Sequence, residues 1–507
     1  MLLVSQVAYA VPDVYNIRSF GAVGDGKTLD QKAINDAIQA AADAGGGTVY
    51  FPAGTYLSFS IRLQSNISLY LEQGCVLEAA DSTSAGYAGY DEAEPNEWGE
   101  TYRYQDFGHS HWHNSLIWGE NLENISILGP GTIYGKGLVR SIERRRPGIG
   151  NKAIALKLCR NVILKDFTIL YGGHFGILAT GVDNLTIDNL KIDTNRDGID
   201  IDGCKNVRIA NCTVNSPFDD AICLKSSFAL GYARPVENVT ITNCQVTGYD
   251  RGTFIDGTYK TDEWRRVPDR EGPTGRIKFG TESNGGFKNI TISNCVFQHC
   301  RGLALETVDG GNLEDVVISN ITMKDIVNSP IFIRLGGRMR GPENTPVGTL
   351  KRISISNLRV YNADSHYASI ISGIPGHDIE DVSLNDITIY YRQMDSAFTQ
   401  IPQRVPEHVE TYPEPAKMGI MPAYGFFIRH AKNIRLSNVN IHYLGDEVRP
   451  PFVLDQVEDV DFFRVNAQRV EGKPLMELSD VVGVRMRGAD DDDDFRVEAE
   501  VGKKVIW

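Results

Sequence analysis

One pattern recurs along this 507-residue chain and limits what it can fold into more than any other feature. An Asn or Asp is followed by an aliphatic residue, any residue, a second aliphatic, a polar pair, any residue and a third aliphatic. Clean copies run over Asn161–Ile169, Asn184–Ile192 and Asn206–Val214. Others begin at Asn238, Asn289, Asp315, Asp381, Asn433 and Asp459, with looser copies at Asn124 and near Arg352. The shortest steps are 23 residues, from Asn161 to Asn184, and 22, from Asn184 to Asn206. The 51-residue step from Asn238 to Asn289 reads as a coil or two with insertions. Within each copy the apolar residues alternate with period two, which is a strand, and the polar break is a corner. A strand this short cannot bury a face alone. Stacking coil upon coil buries one continuous core and pairs each backbone with the next. The pattern therefore predicts an all-β chain, a right-handed parallel β-helix. A β-sandwich would need two-residue hairpin signals such as Asn-Gly, and a leucine-rich horseshoe would need more regular Leu spacing. The 50 glycines suit a chain with many tight turns.

The two ends differ from the middle. Residues 30 to 44 carry Ala33, Ile34, Ala37, Ile38 and Ala41 on one helical stripe. Thr28 or Asp30 is positioned to cap its start and Gly45 to end it. This helix is the expected cap on the open end of the solenoid. Residues 1–10 are apolar and end Ala8-Tyr9-Ala10, as in the remnant of a signal peptide, which predicts a secreted or periplasmic protein. The catalytic β-helix is expected as a single domain over 11–480, followed by a 481–507 tail that carries five consecutive Asp at Asp490 to Asp494. That run reads as a solvated stretch, not a metal site. No apolar run approaches the roughly 18 residues of a membrane span. The net charge, 51 − 65 = −14, argues against nucleic acid as a partner. It leaves room for an acidic polysaccharide in a locally basic cleft. A monomer is expected. The eight cysteines form no Cys-x-x-Cys pair, and several fall on apolar repeat positions, as reduced core residues do.

Two adjacent coils carry the chemistry. One reads Asn195-Arg196-Asp197-Gly198-Ile199-Asp200-Ile201-Asp202, and the next reads Phe218-Asp219-Asp220-Ala221-Ile222-Cys223-Leu224-Lys225. Matching Ile199 and Ile201 to Ile222 and Leu224 gives an offset of 23. That offset stacks Asp197 on Asp220, about 4.8 Å apart along the backbone, with Asp219 displaced by one residue. Carboxylates so close repel, so at least one pKa should rise, and such clusters mark catalysis. In an inverting glycosidase one acid protonates the leaving oxygen and one base activates water, the two carboxyl groups about 6.5–9.5 Å apart. Asp219 is assigned as the general acid, and Asp197 and Asp220 as the groups that hold and deprotonate the water. Asp200 and Asp202 read instead as corner residues that satisfy backbone amides, with Asp202 beside Lys225 in this register. No metal or other cofactor is expected.

At these residues the chain resembles glycoside hydrolase family 28, the polygalacturonase family. The resemblance spans about Tyr15 to Val465 and includes Phe20-Gly-Ala-Val-Gly-Asp-Gly-Lys-Thr28 and Gly45-Gly-Gly-Thr-Val-Tyr-Phe-Pro-Ala-Gly-Thr-Tyr56. The family's Asn-Thr-Asp-Gly motif matches Asn195-Arg196-Asp197-Gly198, and its Asp-Asp pair matches Asp219-Asp220. The resemblance implies that these three carboxylates are catalytic, that the enzyme inverts, and that it needs no metal. Two family motifs are altered. Arg276 stands where the Gly-His-Gly motif has its His. The stretch that matches the substrate-binding Arg-Ile-Lys triplet has Ala304 and Glu306 in place of both cations. A literal Arg276-Ile277-Lys278 lies one coil earlier, with Arg276 and Lys278 on one face and Ile277 and Phe279 on the other. Loss of the cations, and repulsion from Glu306, point away from plain homogalacturonan toward another pectic chain, such as a rhamnogalacturonan or a decorated oligomer.

The candidate substrate-binding residues are Asn195, His174, Lys225, Arg276, Lys278 and Arg251. His174 lies on the coil before Asp197. Arg251 belongs to an insertion, residues 248 to 286, that also holds Tyr249, Asp256, Lys260, Trp264, Arg265 and Arg266. A second loop, residues 97 to 113, holds Trp98, Tyr102, Tyr104, His109 and His111-Trp112-His113 and reads as cleft lining or core. The expected function is hydrolysis of glycosidic bonds in a pectic poly- or oligosaccharide. A polysaccharide lyase with Ca²⁺ on the acidic cluster and a non-catalytic carbohydrate-binding β-helix are the alternatives.

Overall fold

The computed structural model describes residues 14–81, 89–94, 104, 109–139, 148–262, 272–394, 401–402, 404–488, 495–497 and 501–506. The remnant read at 1–10, Trp98, Tyr102, Trp264, Arg265, Arg266 and the Asp490 to Asp494 run lie outside these residues.

The chain winds into a right-handed parallel β-helix. Each coil contributes to three ladders, whose members in one coil are the strands Asp197–Asp202, Lys205–Ala210 and Thr213–Asn215. Each pairs in parallel with its counterparts one coil before and after. The repeat sets the corners. Asn161, Asn184, Asn206, Asn238 and Asn289 all adopt φ near +55° to +59°, a left-handed conformation that Asn tolerates better than most residues. Each also donates its side-chain amide to the Asn one coil earlier: Asn184 to Asn161 at 3.0 Å, Asn206 to Asn184 at 3.2 Å, Asn238 to Asn206 at 3.0 Å and Asn289 to Asn238 at 2.7 Å. The last of these bonds shows that the 51-residue step is a single coil with one insertion. The polar pair inside each repeat is a second corner, with Asp166, Asn189, Asn211 and Asn243 again at positive φ. Asn206→Ala should therefore lose two ladder bonds and force alanine to φ +57°. We expect a loss of about 2 kcal/mol in urea unfolding, and about half that for Asn206→Gly, which keeps the backbone angle.

Helix α1, Gln31–Asp43, buries Ala33, Ile34, Ala37, Ile38 and Ala41 over the first coil. Asp30 precedes it but makes no side-chain cap; its carboxylate takes the Val23 and Gly24 amides at 2.7 and 3.0 Å instead. At the other end the boundary read at 480 falls inside the strand Met476–Arg487. Residues 501–506 then turn back and pair antiparallel with that strand. The tail thus covers the last coil's open edge, because an unpaired row of amides there invites aggregation. All eight cysteines are free and buried.

The outward row of the first ladder changes character along the stack. Its register runs Trp118, Ala155, Leu178, Asp200, Cys223, Lys278, Ala304, Phe332, Ile370, Phe427 and Val453. Both ends of this row are apolar and the middle is charged. Trp112 packs over Ala155, Phe175 and Leu178 at one end. Val405, Met418 and Met421 pack over Ala304, Phe332, Ile370 and Phe427 at the other. The charged middle is left between the two covers.

Candidate active site

The register inferred from the apolar residues is the one observed, with Ile199 on Ile222 and Ile201 on Leu224. It brings one oxygen each from Asp197, Asp219 and Asp220 within 4.8 Å of one another. Asp197 opens its strand and Asp220 stands directly over it; the Asp220 amide donates to Asp197 Oδ1 at 3.2 Å. Gly198 has no room for a side chain, since a Cβ there would lie 2.5 Å from the Ala221 carbonyl oxygen. That close approach of backbones fixes the spacing of the carboxylates.

Each carboxylate has a distinct environment. Asp197 is 1% exposed. Burial pushes its pKa well up, and the charges of Asp200 and Asp219 add to this, against Lys225 and Arg196. Asp219 is held by Arg196, whose Nε donates to Oδ2 at 2.8 Å and whose Nη2 donates to the same oxygen. Asp220 takes Arg276 Nε at 2.9 Å and has Lys278 Nζ at 3.5 Å. These partners bear on metal binding. Asp219 and Asp220 already face three cations, so the charge that a divalent ion would neutralise is neutralised by the chain itself. Activity is expected to be unchanged by EDTA and by added Ca²⁺. Loss of activity in chelator, restored by Ca²⁺, would turn the assignment toward a lyase. Glu94, His113 and Glu120 also gather three ligand atoms within 4.8 Å, but Lys157 Nζ sits 2.9 Å from Glu120.

The other sequence candidates divide into two groups. Arg276 and Lys278 lie against Asp220, His174 meets the Arg196 that holds Asp219, and Asn195 precedes Asp197 by two residues. Asn195 is 9% exposed, and its buried Oδ1 has no hydrogen-bond partner, a group ready to accept from a ligand hydroxyl. The His174 ring nitrogens lie 2.7 and 3.0 Å from Arg196 Nη1. Arg276 and Lys278 point away from Ile277 and Phe279, as their alternation predicts, but they are fully enclosed. Arg276 bridges Asp220 and Glu414, the latter at 3.0 Å, and Lys278 lies 3.5 Å from Glu306 and donates to the Tyr412 hydroxyl at 3.0 Å. In this geometry they fix Asp220 in place.

Lys225 and Arg251 stand further off. Lys225 is beside Asp202 in the backbone register, yet its ammonium goes to Glu282 at 3.4 Å and Asp200 at 3.7 Å. Arg251 is exposed, with its guanidinium over the Tyr171 ring at 5.9 Å. Its loop is tied down where the Gly252, Phe254 and Ile255 amides reach Asp193.

Two readings of the acidic residues need correction. Asp202 does satisfy a backbone amide, that of Ser227 at 2.7 Å. Asp200 does not cap a corner: it is fully buried between Lys225 and His109 Nε2, the latter at 3.1 Å, and burial pushes it up to about 8. Glu306, expected to repel a substrate carboxylate, is fully buried behind Lys278 and Arg276, and burial pushes it up to about 7. Repeat reasoning passed over Arg196, although the offset of 23 that stacks Asp197 on Asp220 also stacks Arg196 on Asp219. It also missed Tyr412 and Glu414. Arg276 and Arg301 hold Glu414 down to about 2 against the opposing effect of burial. Both residues come from a segment more than 100 residues downstream, where no local pattern points back to the site.

A parallel β-helix serves many functions, so the reading rests on the acidic side chains that neighbouring coils bring together. Comparison with known proteins narrows this. A family described as rhamnogalacturonase A/epimerase, pectate lyase-like matches residues 14–101, and one described as right handed beta helix region matches residues 141–261. A probable polygalacturonase of Vitis vinifera is 26% identical over 404 residues, 73% of each chain. An exo-poly-alpha-D-galacturonosidase of Dickeya chrysanthemi is 26% identical over 364 residues, 66% of this chain and 58% of that one. The family 28 exopolygalacturonase of Yersinia enterocolitica has the same fold, with a TM-score of 0.63 at 18% identity, covering 89% of this chain and 78% of that one. The chain is thus similar in sequence to polygalacturonases and shares its fold with a family 28 exopolygalacturonase.

Proposed function

We propose that this protein is a glycoside hydrolase of pectic chains that works from a chain end. The reading is carried by the meeting of Asp197, Asp219 and Asp220 beside the charged middle of the outward row, with an apolar cover on either side along the stack. A groove open at both ends would admit a polymer anywhere along its length, whereas a site walled on both sides along the stack admits a terminus. The Dickeya relative, an exo-poly-alpha-D-galacturonosidase, points the same way.

In the reaction, Asp219 gives a proton to the glycosidic oxygen as the bond from that oxygen to the anomeric carbon breaks. A water held by Asp197 and Asp220 attacks the anomeric carbon from the opposite face and gives its proton to one of them. The products are a free reducing sugar and a shortened chain, and the enzyme returns to its starting state by exchanging protons with solvent. The polymer places the enzyme outside the cytoplasm, secreted or periplasmic. A solenoid with both ends covered, by α1 and by residues 501–506, is suited to act as a monomer.

Chromatography of products from polygalacturonate and from rhamnogalacturonan tests the reading. We expect a single small sugar to accumulate from the first turnovers, with viscosity falling slowly. A rapid fall in viscosity with a ladder of mid-sized oligomers would exclude end-cutting, and release of nothing from either polymer would exclude the hydrolase.

A further inference from the structure

Of the three cations that touch the carboxylates, two are enclosed. The Arg276 and Lys278 side chains are 3% and 1% exposed, and each is shared between Asp220 and a second acid. The third, Arg196, is 21% exposed, beside an Asp219 that is 15% exposed. It lies directly over Asp219 through the offset of 23 that stacks the two coils. Its guanidinium also meets the His174 ring, 2.7 Å from Nε2. A guanidinium presents five N–H donors in a planar fork and pairs with a carboxylate through two parallel bonds.

This arrangement poses a chemical problem for the proposed reaction. Arg196 places two N–H donors on Asp219 Oδ2, and bonds of this kind favour the ionised form of a carboxylate over the form that gives a proton. Withdrawal of Arg196 therefore favours Asp219 as the acid.

We infer that Arg196 is the receptor for a uronate carboxylate of the substrate, and that it clasps Asp219 until such a carboxylate draws it away. The inference rests on the hydrolase reading above. A uronate beside the scissile bond offers the guanidinium the same planar acceptor that Asp219 does. When Arg196 turns to it, the two N–H bonds on Asp219 Oδ2 are released, which favours the carboxyl that takes a proton from solvent and gives it to the glycosidic oxygen. His174 keeps its hold on the guanidinium and guides the turn. One residue thereby binds the acidic sugar and releases the acid only when that sugar is present. It also supplies the cation that Ala304 and Glu306 fail to supply.

The test compares trigalacturonate with its fully methyl-esterified counterpart, which keeps the sugar skeleton and removes the charge. The wild-type enzyme is expected to prefer the free acid by at least 10-fold in kcat/KM. In Arg196→Gln the KM for the free acid should rise at least 10-fold, and the preference should vanish, because neither substrate then meets a guanidinium and Asp219 is unclasped for both. Arg196→Lys, a point charge without the fork, should restore part of the preference. Equal rates of wild type on both substrates would overturn the proposal without any variant. So would an Arg196→Gln enzyme that stays folded by circular dichroism and keeps the free-acid preference. If the wild type cleaves neither compound nor either polymer, the hydrolase reading fails, and that outcome is distinct from both.

Discussion

Asp197→Asn is expected to lower kcat by at least about 10², the scale for losing acid–base catalysis, while raising the melting temperature at neutral pH. Both effects come from one feature. Asp197 is almost fully buried beside Asp200 and Asp219, and its proton affinity is raised well above that of a free carboxyl. The sign of the stability effect follows from that direction. Between the unfolded and the folded pKa the folded chain binds more proton at Asp197 than the unfolded chain does, so folding stability is greatest below the unfolded pKa and is lost as pH rises through the folded one. Asparagine has no such loss, and its Oδ1 can still accept the Asp220 amide. The gain in melting temperature should therefore be small at pH 4 and grow toward pH 8. A variant that is inactive and less stable at every pH would mean that Asp197 is held by favourable contacts and is not a strained catalytic group.

Asp220→Asn should lose at least as much turnover and move stability the other way. Asp220 faces Arg276 at 2.9 Å and Lys278 at 3.5 Å, two cations that stay charged despite burial because acids surround them. Removing one partner of a buried pair leaves a charge uncompensated, at a cost of about 3–5 kcal/mol. Here Glu414 and Glu306 remain on the cations, so we expect a smaller cost, on the order of 1–3 kcal/mol. Thermal unfolding of both variants side by side at pH 7 reads the contrast directly. The same sign for both would contradict the division of labour between the two aspartates.

That contrast marks how far the sequence could be read. The solenoid was legible because each coil repeats one short pattern, and the corner asparagines serve both backbone angle and side-chain ladder. The Asp197–Asp220 stack was legible for the same reason: in a parallel ladder an offset between apolar residues is also an offset between their neighbours. The identical arithmetic reveals Arg196 over Asp219 once it is applied to that pair. It also reveals an outward row that is apolar at both ends and charged at Asp200 and Lys278. The partners of Arg276 and Lys278 were not legible. Glu414 and Tyr412 reach them across 138 and 134 residues of chain, in a segment that follows no repeat. The neutralised state of the two cations, and hence the shift of the substrate contact to Arg196, depends on that segment.

The nearest oxygens of the three carboxylates lie within 4.8 Å, tighter than the roughly 6.5–9.5 Å between carboxyl groups that usually leaves room for a water in inversion. Nearest oxygens understate the distance between whole groups, and Arg196 sets where Asp219 rests before substrate arrives. The stereochemistry of the product therefore tests the mechanism most directly. Proton NMR of the first sugar released, recorded before mutarotation, should show the anomer opposite to that of the bond cleaved. Release of the same anomer would mean that one of the carboxylates attacks the sugar itself, and would contradict the assignment of Asp197 and Asp220 to water.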